Sequence, residues 1–151
     1  MRKSGLVATL AAGMLLLAAC GSSSKTIDAA ALASSLATDI SYDDALEQIS
    51  DEDDSMYIEF PEGVKSYVYM GSGSTAEEVA VFEAPDKDTA ATVKENVQTY
   101  LDDQSDSFQD YIPEESKRIG NAVLEQKDQY VILCVSGDSD GAKEIIEKAF
   151  K

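Results

Sequence analysis

The sequence predicts an α+β fold: a four-stranded, mainly antiparallel sheet built from two ββα units, with an additional N-terminal helix. Three observations predict it. With an offset of 52, residues 78–98 lie over 130–150, and Val79/Val131, Asp86/Asp138, Asp88/Asp140, Ala90/Ala142 and Glu95/Glu147 are identical. Both segments read in the same order: strand, Asp-x-Asp, helical periodicity. The strands within them, residues 79–82 and 131–134, are apolar at odd and even positions alike, so both faces of the sheet need cover. The two long helices are expected against one face and the N-terminal helix against the other.

Each element has its own justification. In residues 27–40, Leu32, Leu36 and Ile40 recur at i, i+4 and i+8, the mark of an amphipathic helix. Ser41 suits the cap of a short second helix with Leu46 and Ile49 inward. Residues 51–55 read as a solvated acidic loop, and residues 56–60 as a short strand ended by Pro61 and Gly63. Residues 64–70 and 78–84 flank Gly71-Ser72-Gly73-Ser74 and form a hairpin. A long helix opens near Asp88, with Ala90, Val93, Val97 and Leu101 as its stripe and Phe108 beyond. Pro113, in Tyr111-Ile112-Pro113-Glu114, cannot continue it. Residues 122–125 and 130–136 form a second hairpin over 126–129. The last helix carries Ala142, Ile145, Ile146, Ala149 and Phe150 on one face.

Composition limits the chemistry. The chain has 151 residues, 29 acidic and 12 basic, a net charge of −17, two Cys and no His. The length suits one domain after a processed N-terminus. Without His there is no Ser-His-Asp triad, His-ligated zinc or imidazole base. Nucleic acid is excluded as a partner, because binding it needs Lys and Arg to displace counterions. Two Cys do not make a disulfide framework.

The N-terminus is a processing signal. Arg2 and Lys3 precede an apolar run over residues 6–18 that only Thr9 and Gly13 interrupt. The run is shorter than the ~20 residues of a membrane-spanning helix but suits a secretory signal. Leu17-Ala18-Ala19-Cys20, followed by Gly21 and three Ser, resembles the bacterial lipobox. That resemblance implies a diacylglyceryl group on Cys20, cleavage before it and a lasting hold on the membrane, since two acyl chains at ~0.8 kcal/mol per CH₂ anchor stably. An ordinary signal peptide with a chance Cys is the alternative. The expected organisation is a lipoprotein signal peptide over 1–19, lipidated Cys20 with a flexible tether over 20–26, and a single α+β domain over 27–151. Cleavage removes Arg2 and Lys3 but no acid, which takes the mature net charge to −19.

The layout also resembles a family of small lipoproteins of Gram-positive bacteria, catalogued as domain of unknown function 4358. The likeness runs over about residues 30–150. It is carried by Gly71-Ser72-Gly73-Ser74-Thr75-Ala76-Glu77-Glu78 running into Val79-Ala80-Val81-Phe82-Glu83-Ala84, by Asp86-Lys87-Asp88, by Tyr111-Ile112-Pro113-Glu114 and by Tyr130-Val131. It implies the fold and the location but no activity and no catalytic residue.

Candidate sites each have a plainer reading. Ser136, Asp138, Asp140, Gly141 and Glu147 fall at positions 1, 3, 5, 6 and 12 of an EF-hand-like loop, which makes Asp138, Asp140 and Glu147 candidate calcium ligands. Against that, position 1 is Ser, position 8 is Lys143 and a strand precedes the loop. The same Asp residues suit a helix N-terminus. Tyr57, Tyr67 and Tyr111 are candidate binding residues, since Tyr joins an apolar ring to a polar tip. Strand alternation accounts equally well for Tyr67 and Tyr69, and a helix exit with Tyr111 packed on the sheet edge for Tyr111. Cys134 lies in an apolar strand and reads as a small core hydrophobe, because a catalytic thiol needs a neighbouring base. Ser22 and Lys25 share Ser-x-x-Lys spacing but fall in the tether, and no Gly-rich phosphate loop is present.

The expected function is therefore a membrane-anchored extracytoplasmic lipoprotein acting as a non-catalytic binding or accessory module of the cell envelope. The alternative is a calcium- or small-ligand-responsive module. No enzyme activity and no cofactor are expected. The expected partners are the membrane, through Cys20, and an envelope protein.

Overall fold

Two strands with no polar face organise the molecule. The computed structural model describes residues 25–50 and 58–151. Its five strands are β1 (Glu47–Gln48), β2 (Lys65–Met70), β3 (Glu78–Glu83), β4 (Val123–Lys127) and β5 (Tyr130–Val135). They form one antiparallel sheet in the order β1-β2-β3-β5-β4. β3 and β5 are central and pair directly, with Glu83 opposite Tyr130 and Glu78 opposite Val135. Each is buried almost throughout. The neighbours β2 and β4 are half-buried, as strands nearer the sheet margins are.

Four helices cover the sheet: α1 (Ala29–Asp39), α2 (Lys87–Gln109), α3 (Pro113–Gly120) and α4 (Ser139–Ala149). Val79, Val81, Ile132 and Cys134 turn to one face and pack with Leu32, Ala33 and Leu36 of α1 and with Ala142 and Ile146 of α4. Ala80, Phe82, Val131, Leu133 and Val135 turn to the other, against Ala90, Val93, Val97 and Leu101 of α2 and Ile119 of α3. Each fully buried Val, Leu, Ile or Phe contributes roughly 1.5–3 kcal/mol. Removing a central side chain therefore affects a large part of the net stability.

The α+β class stands, with three corrections. The sheet has five strands, not four: residues 41–49 do not form a capped helix, and Glu47 and Gln48 instead pair with Met70 and Tyr69. The two long helices do not share a face. α2 lies on one side and α4 on the other, beside α1. The offset of 52 shows why: it matches Val79, which faces α1 and α4, with Val131, which faces α2. The two ββα units thus have opposite hands, and the repeat is one of pattern rather than of rotation. Lastly, Pro113 does not simply close a segment. It is the first residue of α3, where its missing N–H costs nothing.

The remaining joints are local. Asp28, Asp86 and Asp138 cap α1, α2 and α4, their carboxylates accepting from the N–H of Ala31, Thr89 and Gly141. Asp128 sits at φ 51° in the two-residue turn between β4 and β5, a left-handed conformation that Asp tolerates better than most residues. At the opening of β5, the buried Tyr130 phenol accepts from the Ile27 N–H at 3.3 Å and donates to the Ile27 carbonyl at 3.4 Å. The chain entering α1 is thereby fixed at the sheet end marked by Tyr130 and Glu83. The loop between β2 and β3 lies at the opposite end, beyond Met70, Glu78 and Val135.

The expected signal peptide over 1–19, Cys20, the start of the tether, the acidic loop over 51–55 and Tyr57 lie outside the described residues. Residues 58–60 are described and are not a strand. No helix among the described residues is long and apolar enough to cross a membrane.

Candidate functional site

The loop over residues 71–77 is short of side-chain bulk and rich in hydroxyls and backbone N–H groups, so its shape depends on acceptors supplied from elsewhere. Asp44 supplies one. Its Oδ2 accepts from both the backbone N–H and the hydroxyl of Ser72, each at 2.6 Å. Those bonds hold the Asp44 carboxyl below the usual aspartate range. Gly71 is required by the same contact, since a Cβ there would stand 2.6 Å from Asp44 Oδ2. Gly73 takes φ +88°, which side-chain-bearing residues avoid.

The second half of the loop is held by buried carboxylates. Glu77 is 3% exposed. Its oxygens accept from the N–H of Asp43 at 3.1 Å and of Asp44 at 2.9 Å. Glu115, on α3, accepts from the Ala76 N–H at 2.8 Å. One guanidinium faces all of these groups. Arg118 Nη1 approaches Glu77 Oε1 to 2.5 Å, as an ion contact rather than an aligned hydrogen bond. Its Nη2 lies 2.6 Å from Asp43 Oδ2 and 3.5 Å from Glu115 Oε1. Burial works against the Arg118 charge, but the hydrogen bond to Asp43 and the fields of Glu77 and Glu115 outweigh it and raise its pKa. The result is a clamp that joins the segment after α1, the β2–β3 loop and α3.

Glu77, the loop member of the clamp, also lines a cleft of about 380 Å³. Gly71, Thr75, Ala76 and Glu78 form its loop wall, and Tyr100, Gln104 and Phe108 form its helix wall. The helix residues recur at i, i+4 and i+8, one face of α2. Tyr100 donates to Glu78 Oε2 at 2.8 Å where the helix passes the strand end. Ile49, Met70 and Ile119 add apolar surface. An apolar floor with a few fixed polar groups is the usual make-up of a small-ligand site.

The candidates read from the sequence are scattered rather than gathered. Asp138 is used as the cap of α4, Asp140 is exposed beside Lys143 at 3.9 Å, and Glu147 is exposed two turns on. Among the described residues no three His, Cys, Asp or Glu side chains converge to hold a metal ion. Gly141 has another use than a calcium-loop turn: a Cβ there would collide with the Asp138 carboxylate and break the cap. Tyr67 packs toward α1 on the face opposite α2. Tyr111 stands at the α2–α3 corner and is 86% exposed, so it is not packed on the sheet edge. Tyr57 lies outside the described residues. Cys134 is buried, and burial pushes its thiol pKa up. The Tyr42 hydroxyl, 3.5 Å from Cys134 Sγ, is pushed up likewise by burial and by Cys134.

Asp43, Asp44, Glu77, Glu115 and Arg118 were not foreseen from sequence. The available signal was an acidic pair, Glu77-Glu78, at the start of an apolar strand, where a carboxylate that becomes buried needs a cation or N–H partners. Residues 45–136 match the family described as Domain of unknown function (DUF4358). The match takes in the cleft, α2 and α3 and leaves out α1 and α4. No curated protein and no solved structure matches the chain.

Proposed function

Because the chain belongs to the DUF4358 family, whose description names no activity, we propose a function from this chain's own residues: a membrane-anchored extracytoplasmic lipoprotein that serves as a binding or accessory module of the cell envelope. The anchor rests on Arg2, Lys3, the apolar run over 6–18 and the Leu17-Ala18-Ala19-Cys20 box. Binding without catalysis rests on composition, since the chain has no His and Cys134 is a buried thiol with a raised pKa.

The observation that carries the binding role is the cleft beside the β2–β3 loop, whose wall includes Glu77, the carboxylate that Arg118 holds. A loop held by so many directed contacts is pre-organised, which lowers the cost of ordering it around a ligand. The small-ligand form of the alternative reading is favoured over the calcium form, because among the described residues no three acidic side chains converge on one point to hold a metal ion. Relative to the anchor, the cleft lies at the sheet end remote from Ile27 and Tyr130.

Fractionating cells that carry the native chain or Cys20→Ser tests the location. The native chain should sediment with membranes and the variant should not; retention of Cys20→Ser on membranes would refute the anchor. Gly73→Trp, which has open space at its Cβ but strained φ, tests the cleft independently. Native mass spectrometry of the purified chain should show a bound small molecule that Gly73→Trp loses; no bound molecule, or one that Gly73→Trp retains, argues against the binding role.

A further inference from the structure

We propose that the corner formed by Tyr111, Ile112 and Pro113 is a docking knob for another protein, one whose surface carries an apolar socket rimmed by Lys or Arg. This surface is distinct from the cleft, and the inference stands whether or not the cleft is occupied. Tyr111 and Ile112 are the exposed large hydrophobics among the described residues, at 86% and 39%. Other large apolar side chains among the described residues are buried or partly covered; a single exposed side chain is ordinary, but here two stand side by side within an acidic surround.

The corner is rigid. The N–H groups of Tyr111 and Ile112 both donate to the Phe108 carbonyl, at 3.1 and 2.8 Å, and Glu115 N–H donates to the Ile112 carbonyl at 2.9 Å. Pro113 fixes the entry to α3, and the Ser105 and Ser116 hydroxyls join the two helices at 2.7 Å. A large aromatic side chain on a rigid support loses little freedom on docking, which is why Tyr is favoured as an interface anchor.

The charge around the corner selects the partner. Residues 95–116 contain no Lys or Arg. Asp102, Asp103, Asp106, Asp110 and Glu114 are all exposed there, and no ion pair among the described residues engages them. This acidic collar repels a second copy of the chain, which would present the same collar, and it repels anionic lipid and nucleic acid. A cationic protein surface is attracted, with the collar contributing steering and specificity and the Tyr111 ring the anchoring. Position agrees with this. α2 passes Glu78 at Tyr100 and then runs on for more than two turns, which carries Tyr111 beyond the sheet end opposite Ile27 and Tyr130.

The test is photo-crosslinking in the native host with the full chain carrying p-benzoylphenylalanine in place of Tyr111, and in place of Lys94 as a control on the same helix. One dominant protein adduct is expected from position 111 and none from 94, with the contact peptide holding Lys or Arg beside apolar residues. Adding Asp106→Asn, Asp110→Asn and Glu114→Gln together should cut the yield about tenfold, as loss of steering does. Ile112→Ser should cut it about fivefold. The collar substitutions, all at exposed positions, should leave the thermal midpoint in place. Adducts only with lipid, only with a second copy or with an acidic contact peptide would overturn the proposal. So would no adduct above control, or a yield indifferent to the collar.

Discussion

Arg118 Nη1 lies 2.5 Å from Glu77 Oε1, so the short helix after the corner holds the loop that leads into the central strand β3. Both groups are largely withdrawn from solvent, the side chains being 17% and 2% exposed. The contact therefore escapes most of the screening that weakens surface pairs.

Removing one member of such a pair strands the other. Arg118→Ala should cost about 3 kcal/mol of unfolding free energy by leaving buried carboxylates without a cation. Arg118→Lys should fall between the two, since it keeps the charge but loses the planar fork. Urea unfolding of the three chains measures this, and a loss below about 0.5 kcal/mol for Arg118→Ala would place the clamp among surface pairs.

The Asp44–Ser72 contact makes the loop sensitive to acid. Asp44 holds its proton less tightly when folded than at its ordinary value of 3.8. Its contribution is therefore complete above that pH and is lost as pH falls from there through the lowered value. Ser72→Ala or Gly71→Ala should return the Asp44 titration, read by carboxyl NMR, toward 3.8. An unchanged titration in Ser72→Ala would show that Ser72 is not the cause.

Cys134 should be chemically silent in the fold. On a Cys20→Ser background it is the remaining thiol. A disulfide reagent should label it in denaturant and not in native buffer, because burial both hides the sulfur and opposes the thiolate. Rapid native labelling would contradict the buried position.

Asp138 should behave as a cap. Asp138→Ala should lower stability by about 1 kcal/mol and Asp138→Asn by much less, as Asn also accepts from the N–H groups of the first turn. Calcium should leave the thermal midpoint of the native chain unchanged. A calcium-dependent rise abolished by Asp138→Asn would restore the metal-site reading.

What was legible in the sequence was whatever depends on local periodicity. Ala90, Val93, Val97 and Leu101 were read as the buried stripe of α2, and they are its buried residues. The two hairpins and the last helix were equally readable. The side on which α4 packs was not, because strands apolar on both faces offer a helix either one. β1 was illegible for a related reason: two exposed residues join the sheet only because Met70 and Tyr69 present a free edge. α3 could have been read from Pro113, from Glu114 and Glu115 in its first turn, and from Lys117 and Arg118 in its last. The clamp was the hardest part, since it assembles Asp43, Glu77 and Arg118 from distant parts of the chain, and no spacing rule connects them.

The Tyr130 bracket on Ile27 has a mechanical consequence. With the anchor proposed at Cys20, the chain from there to Ile27 is a leash of at most about 25 Å. A pull on that leash runs along the chain into α1, and the two hydrogen bonds to Tyr130 give it a second hold, at the first residue of β5, a strand paired along both edges, through Glu83 on one side and Lys127 on the other. A pull relayed to Tyr130 would thus be shared between two ladders instead of peeling a margin strand.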